Sequence, residues 1–203
     1  VPVVLAGPSQ YSGFRPERLA PLLDFMEVHF YPLAGGFYEY AAPEEEARNL
    51  AYLESVVREV ARCGKPTVVA EFGWYGGGKP TINAGKHPYA TQEQQAQWCS
   101  RLIDTTSGLA AGWLNWGLYD HPGARDVTEF IGLLSADGEL KAWGAAFRDI
   151  AAQFREKGLP PARELHRPNP DWDRLITDRK AVSDFREQYY QAFKADPGRG
   201  GSL

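Results

Sequence analysis

The chain has 203 residues, of which 43% are hydrophobic and 24% charged, enough for one sizeable core and too apolar for a disordered chain. Twenty-two basic against 26 acidic residues give a formal charge of −4. The charges form no long like-sign run, which argues against a nucleic-acid or anionic-membrane surface and points to a neutral or small ligand. No apolar stretch approaches the roughly 20 residues of a membrane helix. The two cysteines, Cys63 and Cys99, have no motif spacing, and the four histidines are scattered, so neither a disulfide framework nor a metal or other cofactor is expected.

Val1 to Ala6 reads as a short buried strand ended by Gly7-Pro8-Ser9. The chain opens at Val1, without methionine and inside this strand, which leads us to expect further sequence upstream. A brief helical segment from about Pro16 to Leu23 precedes a second strand, Phe25 to His29. After the loop Tyr31 to Ala42, Pro43 starts a helix whose first turn carries Glu44, Glu45 and Glu46, where negative charge suits the helix dipole. Leu50, Leu53, Val56, Val57 and Val60 follow at helical spacing, and Gly64 ends it.

The third strand, Pro66-Thr67-Val68-Val69-Ala70-Glu71, is apolar until it stops on a carboxylate. A strand apolar at successive positions is covered on both faces, as in parallel sheets, and in barrels of such strands the chemistry lies at their C-terminal ends. Glu71 is therefore placed for chemistry. Gly76-Gly77-Gly78 follows as a lip of the cleft, since it lacks the Lys-Ser/Thr ending of a phosphate loop. Thr91 and Gln94 form a capping box for a helix reaching about Thr105, and Ala110 to Trp116 reads as the fourth strand. Asp137-Gly138 marks a turn before a helix from about Leu140 to Phe154.

Strand and helix thus alternate four times, which predicts an α/β fold of parallel (β/α) units with right-handed crossovers. Four units are half of a TIM-type barrel. An open doubly wound sheet is the alternative, but Gly7-Pro8-Ser9 is no dinucleotide fingerprint. The division is residues 1–157 for the half barrel and 158–203 for a proline-rich connection, a helix from about Asp178 to Lys194 packed on the barrel, and a disordered tail from Gly198.

Three strand ends carry recognisable motifs: His29-Phe30-Tyr31-Pro32, Ala70-Glu71-Phe72-Gly73, and Gly112-Trp113-Leu114-Asn115-Trp116. Together, over about residues 1 to 150, they resemble strands six, seven and eight of clan A glycoside hydrolases, closest to the family 5 cellulase-like and mannanase-like enzymes. The resemblance implies a retaining glycosidase acting on β-linked oligo- or polysaccharide. It makes Glu71 the catalytic nucleophile, His29 and Tyr31 its orienting and sugar-binding neighbours, and Trp116 a stacking platform. Trp74, on the loop after the third strand, is a further substrate-binding candidate, as are Tyr75, Tyr119, Asp120 and His121 for outer subsites.

The chemistry gives these types independent sense. A retaining glycosidase needs one carboxylate to attack the anomeric carbon and a second, roughly 5 to 5.5 Å away, to protonate the leaving group. In the family that second carboxylate ends strand four, after an asparagine. No Asn-Glu pair occurs in the chain; Glu17 falls in a helical segment and Glu27 inside a strand. The expected partners are a carbohydrate and either an upstream half barrel or a second copy, because an open half barrel exposes two strand edges. A non-catalytic carbohydrate-binding protein or an inactive half barrel is the alternative reading.

Overall fold

The computed structural model describes residues 3–6, 16–31, 43–81, 87–162 and 164–196. The expectations for Gly7 to Ser9, for positions 32–42 and for the tail beyond Gly198 fall outside them. Four strands, β1 (Val3–Ala6), β2 (Met26–Phe30), β3 (Thr67–Phe72) and β4 (Gly112–Asn115), form one sheet in the order of the sequence, every pair parallel. The helices among the described residues are α1 (Pro16–Leu19, continued by a 3-10 turn), α2 (Pro43–Ala61), α3 (Gln92–Thr106), α4 (Ala142–Lys157), α5 (Trp172–Leu175) and α6 (Arg179–Lys194). Sequential order with a helix returning the chain after each strand is the topology of a partial TIM-type barrel.

One face of the sheet carries the core. Along β2, Met26, Val28 and Phe30 are fully buried while Glu27 and His29 alternate with them on the other face. Val69 and Phe72 continue the buried side in β3, and Phe72 packs edge-on against Trp143 and Phe147 of α4. Trp113 of β4 also turns to the helices: its indole stacks on Phe154 at 5.3 Å and donates to Thr106 Oγ1 at 2.8 Å.

The sequence places the helix starts well because the caps are local. Thr91 accepts from the backbone of Gln94 at 3.2 Å, and the Gln94 side chain accepts from the backbone of Thr91 at 2.8 Å, the reciprocal bonds of a capping box. Asp178 caps α6 by accepting from Lys180 N at 2.8 Å.

The chain beyond α4 is clipped to α2. Glu54, fully buried, accepts from Arg167 Nε at 2.7 Å and from the Tyr189 hydroxyl at 3.1 Å, while Arg167 also reaches Asp196 at 2.9 Å. Asn169 accepts from Arg62 at 2.9 Å and from Arg58 at 3.2 Å. Val182, Phe185, Tyr189, Tyr190 and Phe193 of α6 are buried, so the helix adds an apolar layer over α2.

Candidate active site

The position of Glu71 rests on a break in the alternation of β3. Val28 pairs with Val69 but His29 pairs with Glu71, and on the other side Val69 pairs with Trp113 while Phe72 pairs with Asn115. Strand β3 thus holds one residue more than either neighbour between Val69 and Phe72. Such a bulge resets which face each side chain takes. Its burial pattern shows the effect: Val69 and Phe72 are both buried against the helices, and Ala70 and Glu71 both stand on the open face. With strict alternation, Glu71 and Phe72 would exchange faces and the carboxylate would meet the apolar helix layer.

On that open face β2 delivers two partners. His29 Nδ1 lies 3.1 Å from Glu71 Oε2, and the Tyr31 hydroxyl donates to the same oxygen at 3.0 Å. The side chain of Glu71 is 26% exposed and that of His29 13%. Burial, and then the hydrogen bond to Glu71 and its charge, push the Tyr31 phenol well above its ordinary range. The hydroxyl therefore stays a donor across the working pH range. Both contacts fall on Oε2, and among the described residues no hydrogen bond or ion pair engages Oε1.

Next to this group Trp116 follows β4, 44% exposed, on backbone bonded to β3 through Trp116 N and Phe72 O at 2.8 Å. Asn115 holds the turn beneath it: Oδ1 accepts from Trp143 Nε1 at 2.8 Å, and Nδ2 donates to Gly117 O at 2.9 Å. Sequence reasoning missed Asn115 as a support. Its signal was present, a polar residue directly before a tryptophan at a strand end, where an amide is spent on loop backbone.

The loop that follows is anchored by a second group the sequence did not single out. Lys141 is 1% exposed, and its ammonium donates to both oxygens of Asp120, at 2.8 and 3.0 Å, and to Phe130 O at 2.8 Å. Asp120 also accepts from Gly132 N at 2.8 Å. Burial raises the Asp120 carboxyl and lowers the Lys141 ammonium from their ordinary values, in each case against the pull of the partner. Asp120, a candidate for an outer subsite, is thus committed to holding the loop.

Trp74 requires a correction. It is fully buried, packed against Tyr75 at 5.3 Å and edge-on to His87 at 5.8 Å, so its indole presents no face to a sugar. Tyr75 is also fully buried, its hydroxyl donating to Pro88 O at 3.0 Å. Tyr119 and His121 remain exposed on the loop after β4. Among the described residues no cluster of His, Cys, Asp and Glu could hold a metal ion, and no helix is long and apolar enough to cross a membrane.

The architecture, parallel β/α units with a carboxylate at the end of a central strand, is that of a partial TIM-type barrel. Comparison with solved structures gives the particular likeness. A GH5_18 protein of Bifidobacterium longum subsp. longum, a variant in complex with Manβ1-4GlcNAc, superposes with a TM-score of 0.64 at 17% identity, over 96% of this chain and 47% of that one. The GH5_18 protein of Streptomyces cattleya in complex with GlcNAc gives 0.63 at 17% identity, over 94% and 48%. The chain therefore spans about half the length of these GH5_18 structures. No protein-family model matches it, and neither does any curated protein.

Proposed function

We propose that this chain is the nucleophile-bearing half of a retaining β-glycosidase, strands five to eight of a (β/α)8 barrel. Residues 1–157 make the half barrel and 158–203 a C-terminal extension of it. The observation that carries the reading is the convergence of His29 and Tyr31 on one oxygen of Glu71, while no described residue engages the other. A nucleophilic carboxylate needs this asymmetry: Oε2 is oriented by fixed donors, and Oε1 attacks the anomeric carbon. No arginine or lysine pairs with Glu71 among the described residues, in contrast to the buried Glu54. Trp116 serves as the platform against which the sugar ring rests while positive charge develops on it. Glu71 and the anomeric carbon form the glycosyl-enzyme bond as the leaving-group oxygen departs with a proton from a carboxylic acid of the upstream half. Water then releases the sugar with net retention.

GH5_18 structures hold Manβ1-4GlcNAc and GlcNAc, which makes a β-mannosyl unit the first glycone to try. An activated fluoride departs without protonation, so a 2-deoxy-2-fluoro-β-mannosyl fluoride reports on the nucleophile separately from the acid. Intact mass and peptide mapping should place one fluoromannosyl group on Glu71, and Glu71→Gln should take none. A label elsewhere, or one surviving in the Gln variant, would remove Glu71 from the mechanism. Sugar binding with no label would favour the second reading, a carbohydrate-binding half barrel, which rests on the absence of an Asn-Glu pair from the sequence.

A further inference from the structure

A cavity of about 700 Å³ lies not at Glu71 but on the outside of the helix layer, between α2 and the C-terminal extension, within the size range of small-molecule sites. Its wall on the α6 side carries Arg179, Ser183 and Arg186, at i, i+4 and i+7, and therefore on one face of the helix. These side chains share an unusual condition. None of the three meets a carboxylate or any other acceptor among the described residues.

The acids that line the same cavity are already engaged. Asp178 caps α6 through Lys180 N at 2.8 Å and lies 3.8 Å from Arg174, on its own side of the turn. Glu187 takes Arg48 at 2.5 Å and Gln191 at 2.7 Å, and those donors hold its carboxyl below the usual range. Arg186 is also held in place: its guanidinium lies 4.3 Å from the centroid of the Tyr52 ring, which is itself 5% exposed. Stacking fixes the plane of a guanidinium without using its five N–H donors, which suits planar recognition of carboxylate or phosphate.

We propose that this cavity binds a small molecule carrying an oxyanion, a carboxylate or a phosphate monoester, through Arg179, Ser183 and Arg186. The rings of Tyr52 and Tyr190 do not stack on the ligand, since Arg186 and Arg48 cover them and both are nearly fully buried. Specificity therefore comes from the charged group, and the cavity leaves room beside it for a hexose-sized body. The site is independent of Glu71 and of the glycosidase reading.

Isothermal titration of the purified protein with glucose 6-phosphate, D-glucuronate, glucose and inorganic phosphate tests the assignment. Binding of glucose 6-phosphate or glucuronate is expected, with glucose silent, and the acid that binds identifies the source of the oxyanion. Arg179→Gln and Arg186→Gln should each weaken binding about ten-fold or more, the scale of a hydrogen bond to a charged group. Glu71→Gln should leave it unchanged. Arg179 is exposed, so its variant keeps the test alive even where Arg186→Gln, which uncovers Tyr52, fails to fold. Glucose binding as tightly as the acids, inorganic phosphate binding as tightly as glucose 6-phosphate, undiminished affinity in both Gln variants, or no binding of either acid would each overturn the proposal.

Discussion

Directly after β3 the chain turns two aromatics inward, and directly after β4 it leaves two out. Trp74 and Tyr75 are fully buried with His87, whereas Trp116 is 44% exposed, Leu118 56% and Tyr119 52%. The two loops leave adjacent strands at the same edge and lie against each other. Gly76 N donates to Phe130 O at 3.0 Å, Thr81 N donates to Glu129 at 2.6 Å, and Gly78 passes so close under the Phe130 ring that a Cβ there has no space. The first loop is thus the inner layer and the second covers it. In the outer loop the backbone is fixed by the polar side chains of Asn115, Asp120 and Lys141, so Trp116, Leu118 and Tyr119 face solvent while Ile131 is held in the core. The lesson is that an aromatic after a strand end stays exposed only where something other than that aromatic holds its loop.

The largest effect that follows is on stability. Trp74→Ala removes a fully buried indole between Tyr75 and His87 and should cost about 3–5 kcal/mol, read from the urea midpoint at unchanged slope. A cost below about 1 kcal/mol would break the contrast, because it would put Trp74 at a site that yields to solvent.

A smaller effect depends on pH. His87 is 1% exposed, and burial lowers its pKa from the ordinary value. Between the depressed folded value and the unfolded value of about 6.5, the unfolded chain binds more protons than the folded one. Stability is therefore present in full above about pH 6.5 and falls as the pH drops below it. Subtracting the profile of His87→Phe, which keeps a ring against Trp74 and Tyr75, isolates this slope. Parallel profiles for the two proteins would mean that the imidazole titrates in contact with water and that the inner loop is open.

Much of the fold was legible because its signals are local. The capping box at Thr91, the turn at Gly64 and the apolar spacing of α2 lie within a few residues of what they specify. The adjacency of His29, Glu71 and Trp116 followed from parallel order alone, and the sheet brings their strands together as β2, β3 and β4. What stayed hidden depends on partners far along the chain. The bulge at Ala70–Glu71 is a matter of register against two other strands, and nothing in Val68-Val69-Ala70-Glu71-Phe72 announces it. Trp74 and Trp116 each follow a strand, and only the later loop, laid over the first through Glu129 and Phe130, distinguishes them. Lys141 reads as an ordinary surface lysine at a helix start until Asp120 and Phe130 O are seen to surround it.

The smallest change in stability should come from the residue proposed as the sugar platform. Trp116 is nearly half exposed, and its backbone is fixed by Phe72 O and by the Asn115 amide rather than by its own ring, so Trp116→Ala should shift unfolding by no more than about 0.5 kcal/mol. Removing the ring should nonetheless weaken β-mannoside binding about two- to ten-fold, the scale of an aromatic contact worth about 0.5–1.5 kcal/mol. Sugar titrations of the variant and the parent protein at one pH decide the point. If affinity held while stability fell by several kcal/mol, the ring would be a structural plug like Trp74, and the cleft would lie on the Glu71 side of the sheet without a platform from β4. If affinity fell at constant stability, the outer loop would be a surface held ready by Asn115, Asp120 and Lys141, with its aromatic free because those polar side chains do the holding.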